Sequence, residues 1–276
     1  MGANHDLSFL FITANSNETD AVLKSPYANF EERRSENPKN TNYYSVGSFG
    51  KYKVVHLELQ DQGSAKTDAS LLSIDHTISE FHPDAVILVG IAFGKENSVD
   101  GQESKKQPIG TVLISDKVAD YESGKQSDTG FESDGSVPES GRQLLSVFKH
   151  YAKEWKALDT NNRHFEIGLM LSGDKLVNDP QFKKELLTRY PRAIGGEMEG
   201  RGAYAACRYN ELNEWIIIKA IADYGDGTKD VDKKARQIKA SKAAVSLLEF
   251  VFSKPEAFSQ FAKGKRTNTS VPKDDT

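Results

Sequence analysis

Two short apolar runs constrain this chain more than any other feature: residues 85–90 (AVILVG) and 215–222 (WIIIKAIA). Neither alternates with polar residues, so neither can be a strand with one face in water; each must be covered on both faces. Helical patterns to cover them are present. Leu144, Phe148, Tyr151 and Trp155 recur at i, i+4, i+7 and i+11, which predicts an amphipathic helix starting near Pro138. Ile238, Val245, Leu248 and Phe252 give a closing helix its apolar face. Residues 7–13, 110–121 and 165–171 read as further strands, and residues 65–81, 181–189 and 197–208 as further helices. Strands alternating with helices predict an α/β fold, a three-layer αβα sandwich around a central sheet. Residues 27–42 are charged and read as an exposed excursion before strands at 42–46 and 52–59, with Ser48-Phe49-Gly50 as their turn. That hairpin predicts a mixed sheet rather than a purely parallel one. No repeat or linker interrupts the pattern, so residues 1–263 read as one domain and 264–276 as a polar tail.

Composition narrows the function classes. No apolar run approaches the ~18 residues of a membrane span. The opening MGANHD has no basic-then-apolar leader pattern, and Asp6 stands where a myristoylation signal needs Ser or Thr, so the chain is expected to be soluble and cytoplasmic. A lone cysteine, Cys207, excludes an internal disulfide framework, and the six histidines show no metal-ligand spacing. Neither metal nor cofactor is expected. With 36 basic and 40 acidic residues the net charge is −4, which gives no field for a nucleic acid polymer; a small anionic substrate would need local cations. Residues 90–95 (GIAFGK) are one residue too short for a phosphate loop, and Glu96 replaces its Ser or Thr. Lys105-Lys106 and Arg33-Arg34 are candidates for gripping phosphates, although paired charges in polar loops are usually just solvated. His56 and His164 fall in predicted strands, where a satisfied structural histidine is the expected case.

Three acidic sites remain. Glu18 lies in the first turn of a helix capped by Asn15 or Ser16, Glu197 and Glu199 open another helix, and Asp223 stands just past the last strand. Ligands of open α/β sheets bind beyond the carboxyl ends of the strands, so these sites are expected to converge. Taken singly, a carboxylate in a first helical turn does no more than balance the helix dipole, at ~0.3–1 kcal/mol.

Four segments in order change that reading: residues 81–94 (FHPDAVILVGIAFG), 110–116 (GTVLISD), 171–178 (LSGDKLVN), and the pair 196–202 (GEMEGRG) with 216–226 (IIIKAIADYGD). Over about residues 7–252 the chain resembles the nucleoside phosphorylase and nucleosidase superfamily. Within it the chain is most similar to methylthioadenosine/S-adenosylhomocysteine nucleosidases and to the nucleosidase-like effector domains of bacterial and fungal immune proteins. The stretch from Lys219 to Asp226, with Trp215 and Lys229, is of the effector kind. The resemblance implies an αβα sandwich assembled as a homo-oligomer, a dimer or hexamer. The implied partner is a small purine nucleoside or nucleotide, with no nucleic acid polymer and no membrane.

By position, Asp223 matches the acid that protonates purine N7, a role that requires a protonated carboxyl. Glu199 matches the ribose-hydroxyl ligand, Met198 the residue under the sugar, Glu197 a member of the same turn, and Glu18 the residue that orients or deprotonates water. Gly90, Ile91, Ala92 and Phe93 lie where the family lines sugar and base, and Leu176 and Val177 where it sandwiches the purine. Two departures stand out. Where the family commonly has Arg-x-Ile-Ser-Asp, this chain has Lys219-Ala220-Ile221-Ala222-Asp223, which trades a bidentate donor for a point charge at a substrate-binding position and removes a hydroxyl beside the acid. Asp226 or Tyr224 would then help to orient Asp223. The arginine with which phosphorylases hold phosphate is also missing near Val89-Gly90-Ile91-Ala92, so water is the expected nucleophile.

The expected activity is hydrolysis of a purine N-glycosidic bond, the base being adenine, with nucleotide depletion in defence as an implied role. A phosphate-dependent phosphorylase and a catalytically weak nucleoside sensor are the alternatives. The polar loops 95–108 and 122–137 are expected to set substrate size.

Overall fold

The fold is given by a computed structural model that describes residues 7–36, 43–59, 67–97, 105–127, 130–133, 137–174, 177–225 and 232–261. The elements in chain order are β1 (Ser8–Thr13), α1 (Ser16–Leu23), β2 (Ala28–Arg34), β3 (Tyr43–Phe49), β4 (Tyr52–Glu58), α2 (Thr67–Phe81), β5 (Ala85–Gly94), β6 (Glu96–Asn97) and β7 (Lys105–Lys106). They continue with β8 (Val112–Asp120), β9 (Gly124–Ser127), β10 (Gly130–Ser133), α3 (Arg142–Ala157), β11 (Phe165–Ser172), α4 (Pro180–Arg189), β12 (Ala193–Glu197), α5 (Gly200–Tyr209), β13 (Trp215–Asp223) and α6 (Lys233–Phe252).

The two apolar runs are adjacent central strands. β5 and β13 pair in parallel inside a nine-stranded mixed sheet of order β12-β11-β8-β13-β5-β1-β4-β3-β2. Their side chains are buried along almost their whole length because helices cover both faces. On one face α3 and α6 pack Leu144, Phe148, Trp155, Leu248 and Phe252 against Phe9, Phe11 and Ile218. On the other, α2 and α5 bring Ile74, Ile78, Ala203, Ala206 and Cys207 against Leu10, Leu88 and Ile217. The expected three-layer sandwich and mixed sheet are therefore present. β12 also pairs antiparallel with β5 (Gly195↔Gly94, Gly196↔Phe93), so five strands curl into a ring and bring the ends of β5, β12 and β13 together. Among the described residues no helix is long and apolar enough to cross a membrane.

The structure differs from the sequence reading in several places, each for a local reason. Residues 28–34 are not a mere excursion: they form β2, an edge strand antiparallel to β3 whose charged side chains face solvent. The β3–β4 turn sits at Gly50-Lys51, with Phe49 and Tyr52 paired across it. α3 begins at Arg142, not Pro138, because residues 138–140 stay bonded to β8 through Val118 N to Pro138 O (3.0 Å) and Ser140 N to Asp116 O (2.9 Å). Glu197 belongs to strand β12, and the helix after it starts only at Gly200. The two polar loops contain antiparallel pairs, β6 with β7 and β9 with β10. His164 precedes β11, its ring bonded to the Asn161 carbonyl (3.1 Å). The 264–276 tail lies outside the described residues.

Candidate active site

The carboxyl ends of β1, β5, β12 and β13 surround a cavity of about 170 Å³. Glu18, Glu197, Glu199 and Asp223 reach it, with Ala14, Asn15, Ile91, Ala92, Phe93, Val177, Gly196, Met198, Lys233 and Gln237 on its walls.

Glu18 is placed by a helix start. The Asn15 side chain accepts from the backbone N–H groups of Asn17 and Glu18, which fixes the first turn of α1 at the end of β1. The Glu18 carboxylate accepts from Ala14 N (2.6 Å) and, across the sheet, from Ile91 N (2.8 Å). That approach needs a glycine at position 90, since a Cβ there would collide with the carboxylate. Burial raises the Glu18 pKa, and Glu199 adds to the rise, against the opposing pull of Lys219 and the two N–H donors. A carboxylate of raised basicity is the better proton acceptor.

Lys219 pairs with Gly90 in the β13–β5 register, and its side chain runs behind the cavity wall. Its ammonium lies 3.1 Å from Glu199 Oε2 and 3.7 Å from Glu18 Oε1, and the residue is 1% exposed. Burial disfavours its charge, but Glu18, Glu199 and Glu197 together outweigh burial and hold its pKa above the ordinary lysine value. Lys219, expected to bind substrate, is not among the residues that line the cavity; its ammonium braces two carboxylates that are. Gly90 likewise stands behind the wall.

Glu197 caps the helix that carries Glu199. Its carboxylate accepts from Glu199 N (2.9 Å) and Gly200 N (2.9 and 3.1 Å) and bonds the Ser172 hydroxyl. Burial first, then the neighbouring Glu199, pushes its pKa up to about 7. Glu199 is the N-cap residue of α5, without a side-chain capping bond of its own.

Asp223 ends β13 beyond a register shift between Ile221 and Asp223, and such irregularities re-aim side chains at strand ends. It accepts from Gly225 N (2.9 Å) in a turn that requires glycine, with φ +62° at Gly225 and the Val177 side chain and carbonyl 3.0 Å from where a Cβ would stand. The acid and the apolar residue opposite it are therefore tied through one turn. Ala222 points into the core, and the Tyr224 hydroxyl donates to the Gln107 carbonyl (2.7 Å). Leu176 and Asp226 lie outside the described residues. Residues 90–94 form part of β5, so no phosphate loop exists there.

The sequence reading did not place Lys233 and Gln237 at this cavity, and took Asn15 only as a cap. The one signal for the first two was the basic opening of α6, residues 233–237 (KKARQ).

Comparison with known proteins places the chain. A death domain-containing ATP nucleosidase of Amphimedon queenslandica is 28% identical over 249 residues, covering 81% of this chain but only 44% of that protein's length. A 5′-methylthioadenosine/S-adenosylhomocysteine nucleosidase of Staphylococcus saprophyticus is 26% identical over 234 residues, covering 84% of this chain and 93% of the relative. The solved structure of the corresponding nucleosidase of S. pneumoniae, with the transition-state inhibitor MT-ImmA, superposes with a TM-score of 0.70 at 21% identity, covering 89% of this chain and 98% of that one. The profile of the phosphorylase superfamily matches residues 8–252, from the start of β1 to the end of α6, and the chain belongs to that superfamily.

Proposed function

We propose that the chain hydrolyses the N-glycosidic bond of an adenine nucleoside or nucleotide, releasing free base and ribose or ribose phosphate. The observation that carries this reading is the convergence of Glu18, Glu197, Glu199 and Asp223, from three separated segments, on one cavity with apolar walls at Ala92, Phe93, Val177 and Met198. The purine lies against Phe93 and Val177, Asp223 protonates its N7 so that the base leaves neutral, and Glu199 holds the ribose hydroxyls over Met198. As C1′ gains positive charge, the surrounding carboxylates stabilise it more than the neutral ground state. Glu18 takes the proton of the attacking water. Adenine is supported by the names of both relatives.

Water is favoured over phosphate because, among the described residues that line the cavity, the cationic one is a lysine at the rim and none is an arginine. A homo-oligomeric, cytoplasmic enzyme that depletes nucleotides in defence is the wider reading, of which the ATP nucleosidase relative supports the action on nucleotides. The test is release of adenine from adenosine, methylthioadenosine, AMP and ATP, with and without phosphate, by native protein and Asp223→Asn. Native turnover without phosphate and a loss of about 10²–10⁴-fold in the variant are expected. Full activity in Asp223→Asn overturns the assignment of the acid, and strict phosphate dependence overturns hydrolysis.

A further inference from the structure

The charges around the cavity are unevenly placed. Four carboxylates, Glu18, Glu197, Glu199 and Asp223, form its floor and one side, and the Lys219 ammonium is spent on two of them from behind. Lys233 is the cation among the described lining residues, and Gln237 lies one turn further along α6 on the same wall. Among the described lining residues, it is there that an anionic group on the substrate meets a positive charge.

α6 opens in a way that helix stability alone does not explain. Its first residues are Lys233-Lys234-Ala235-Arg236, with no acidic residue in the first turn and no side-chain capping bond from Asp232. Cations at that end oppose the helix dipole, and a broken local rule beside a cavity points to a functional demand. Gln237 is held in place because Asn17 Nδ2 donates to its Oε1 (3.1 Å), which ties α1 to α6 at the cavity mouth and leaves the Gln237 amide its NH₂ donors.

A second, larger groove of about 910 Å³ adjoins this wall between α1 and α6, with Ser16, Asn17 and Lys24 on one side and Lys234, Ile238 and Lys242 on the other. Lys234, Ile238 and Lys242 are at i, i+4 and i+8, on one face of α6, which sets the two lysines ~12 Å apart along the helix. The groove also carries two carboxylates: Asp20, paired with Lys24 (2.8 Å), and Glu249, which accepts from Ser25 Oγ (2.7 Å), so Lys234 and Lys242 are the lysines of the groove that the described residues leave without an ion pair.

We infer that Lys233 and Gln237 form a subsite for the 5′-phosphate of the substrate, and that the α1–α6 groove takes the remainder of a polyphosphate tail along Lys234 and Lys242. The substrate class is then 5′-phosphorylated adenine nucleotides rather than neutral nucleosides. This rests on the proposed placement of base and ribose in the cavity. Lys233 and Lys234 are exposed, so their contacts with phosphate weaken as salt rises.

The experiment compares kcat/KM for AMP and ATP with that for adenosine and methylthioadenosine, at low and high NaCl, in native protein, Lys233→Glu and the double variant Lys234→Glu/Lys242→Glu. The native enzyme prefers the phosphorylated substrates, and salt lowers that preference. Lys233→Glu lowers the AMP-to-adenosine ratio by about tenfold or more, the worth of one charge-assisted hydrogen bond. The double variant lowers the ATP-to-AMP ratio instead. A native preference for adenosine or methylthioadenosine, or a Lys233→Glu ratio equal to native, overturns the inference. If no substrate releases base, the hydrolase reading fails by itself, and calorimetric binding of AMP, ATP and adenosine decides this one. Tighter nucleotide binding that Lys233→Glu weakens upholds the subsite, and equal binding overturns it.

Discussion

Glu18 and Thr19 are adjacent in the first turn of α1, both buried, and they serve opposite neighbourhoods. Thr19 bonds Thr13 (2.7 Å between hydroxyls), and Thr13 bonds His56 Nε2 (2.9 Å), a chain of neutral groups between β1 and β4. Burial pulls the His56 pKa down to about 4, so the imidazole stays neutral and each group is satisfied without a charge. One residue away, Glu18 joins a cluster of three carboxylates, its own with those of Glu197 and Glu199, around the single ammonium of Lys219. Buried ions cost desolvation, and a cluster with more acids than bases is poorly compensated. The neutral cluster holds the fold together at low cost; the ionic one is expensive, and the carboxylates it holds ready at the cavity give the reason for it.

The contrast breaks most readily at Lys219. Replacing it by methionine leaves Glu18 and Glu199 buried without their cation, and a loss of about 3–5 kcal/mol in urea unfolding at pH 7 is expected, together with loss of base release. Thr13→Val, which removes the hydroxyl that links Thr19 to His56, should cost only about 1–3 kcal/mol and leave base release within a few-fold of native. Equal destabilisation by the two would mean that the ionic cluster is structurally no different from the neutral one.

Glu18→Gln sharpens the same contrast from the other side. Lys219 keeps Glu199 as a partner, and a charge is removed from a buried site, so unfolding free energy should change less than in Thr13→Val. Base release should nevertheless fall by about a hundredfold or more if Glu18 accepts the proton of water. A variant that loses stability but keeps its turnover would reassign Glu18 to the scaffold.

What the sequence revealed follows the same division. The layer order and the two central strands were legible because long, unalternating apolar runs have few alternative uses. β12 was not, since its five residues (AIGGE) hold two glycines and no apolar alternation, and it is a strand only because β5 and β11 flank it. β2 was missed for a related reason: an edge strand with charged side chains looks like a loop in composition. Among candidate site residues, Met198, Glu199 and Asp223 stood out through motif wording and Glu18 through its place in a helix entry after the first strand, and the structure brings them to one cavity. Lys219 was read as a ligand contact because sequence gives identity and not direction. Lys233 and Gln237 lie beyond a stretch of chain whose length carries no signal of where α6 returns.

The smallest expected effect is one of slope, and it sets Glu197 against His56. The Glu197 pKa rises from 4.5 to about 7 on folding, so its contribution to stability is fully present below pH 4.5 and is lost as pH rises through 7. The His56 pKa falls from 6.5 to about 4, so its contribution is fully present above pH 6.5 and is lost as pH drops through 4. Between pH 4.5 and 6.5 the two act in opposite directions, each by up to about 1.4 kcal/mol per pH unit, and the native protein should show little net slope from them. Glu197→Gln mimics the protonated acid and keeps an acceptor for the α5 N–H groups, so relative to native it should tilt the curve towards the histidine's slope and make stability fall further as pH is lowered across that window, the raised Glu18 being common to both proteins. His56→Gln should expose the glutamate and make stability rise instead. Urea midpoints at half-unit intervals from pH 4.5 to 7 measure both. Curves parallel to native in Glu197→Gln would show that the Glu197 carboxyl keeps its ordinary pKa in the fold and that burial does not raise it.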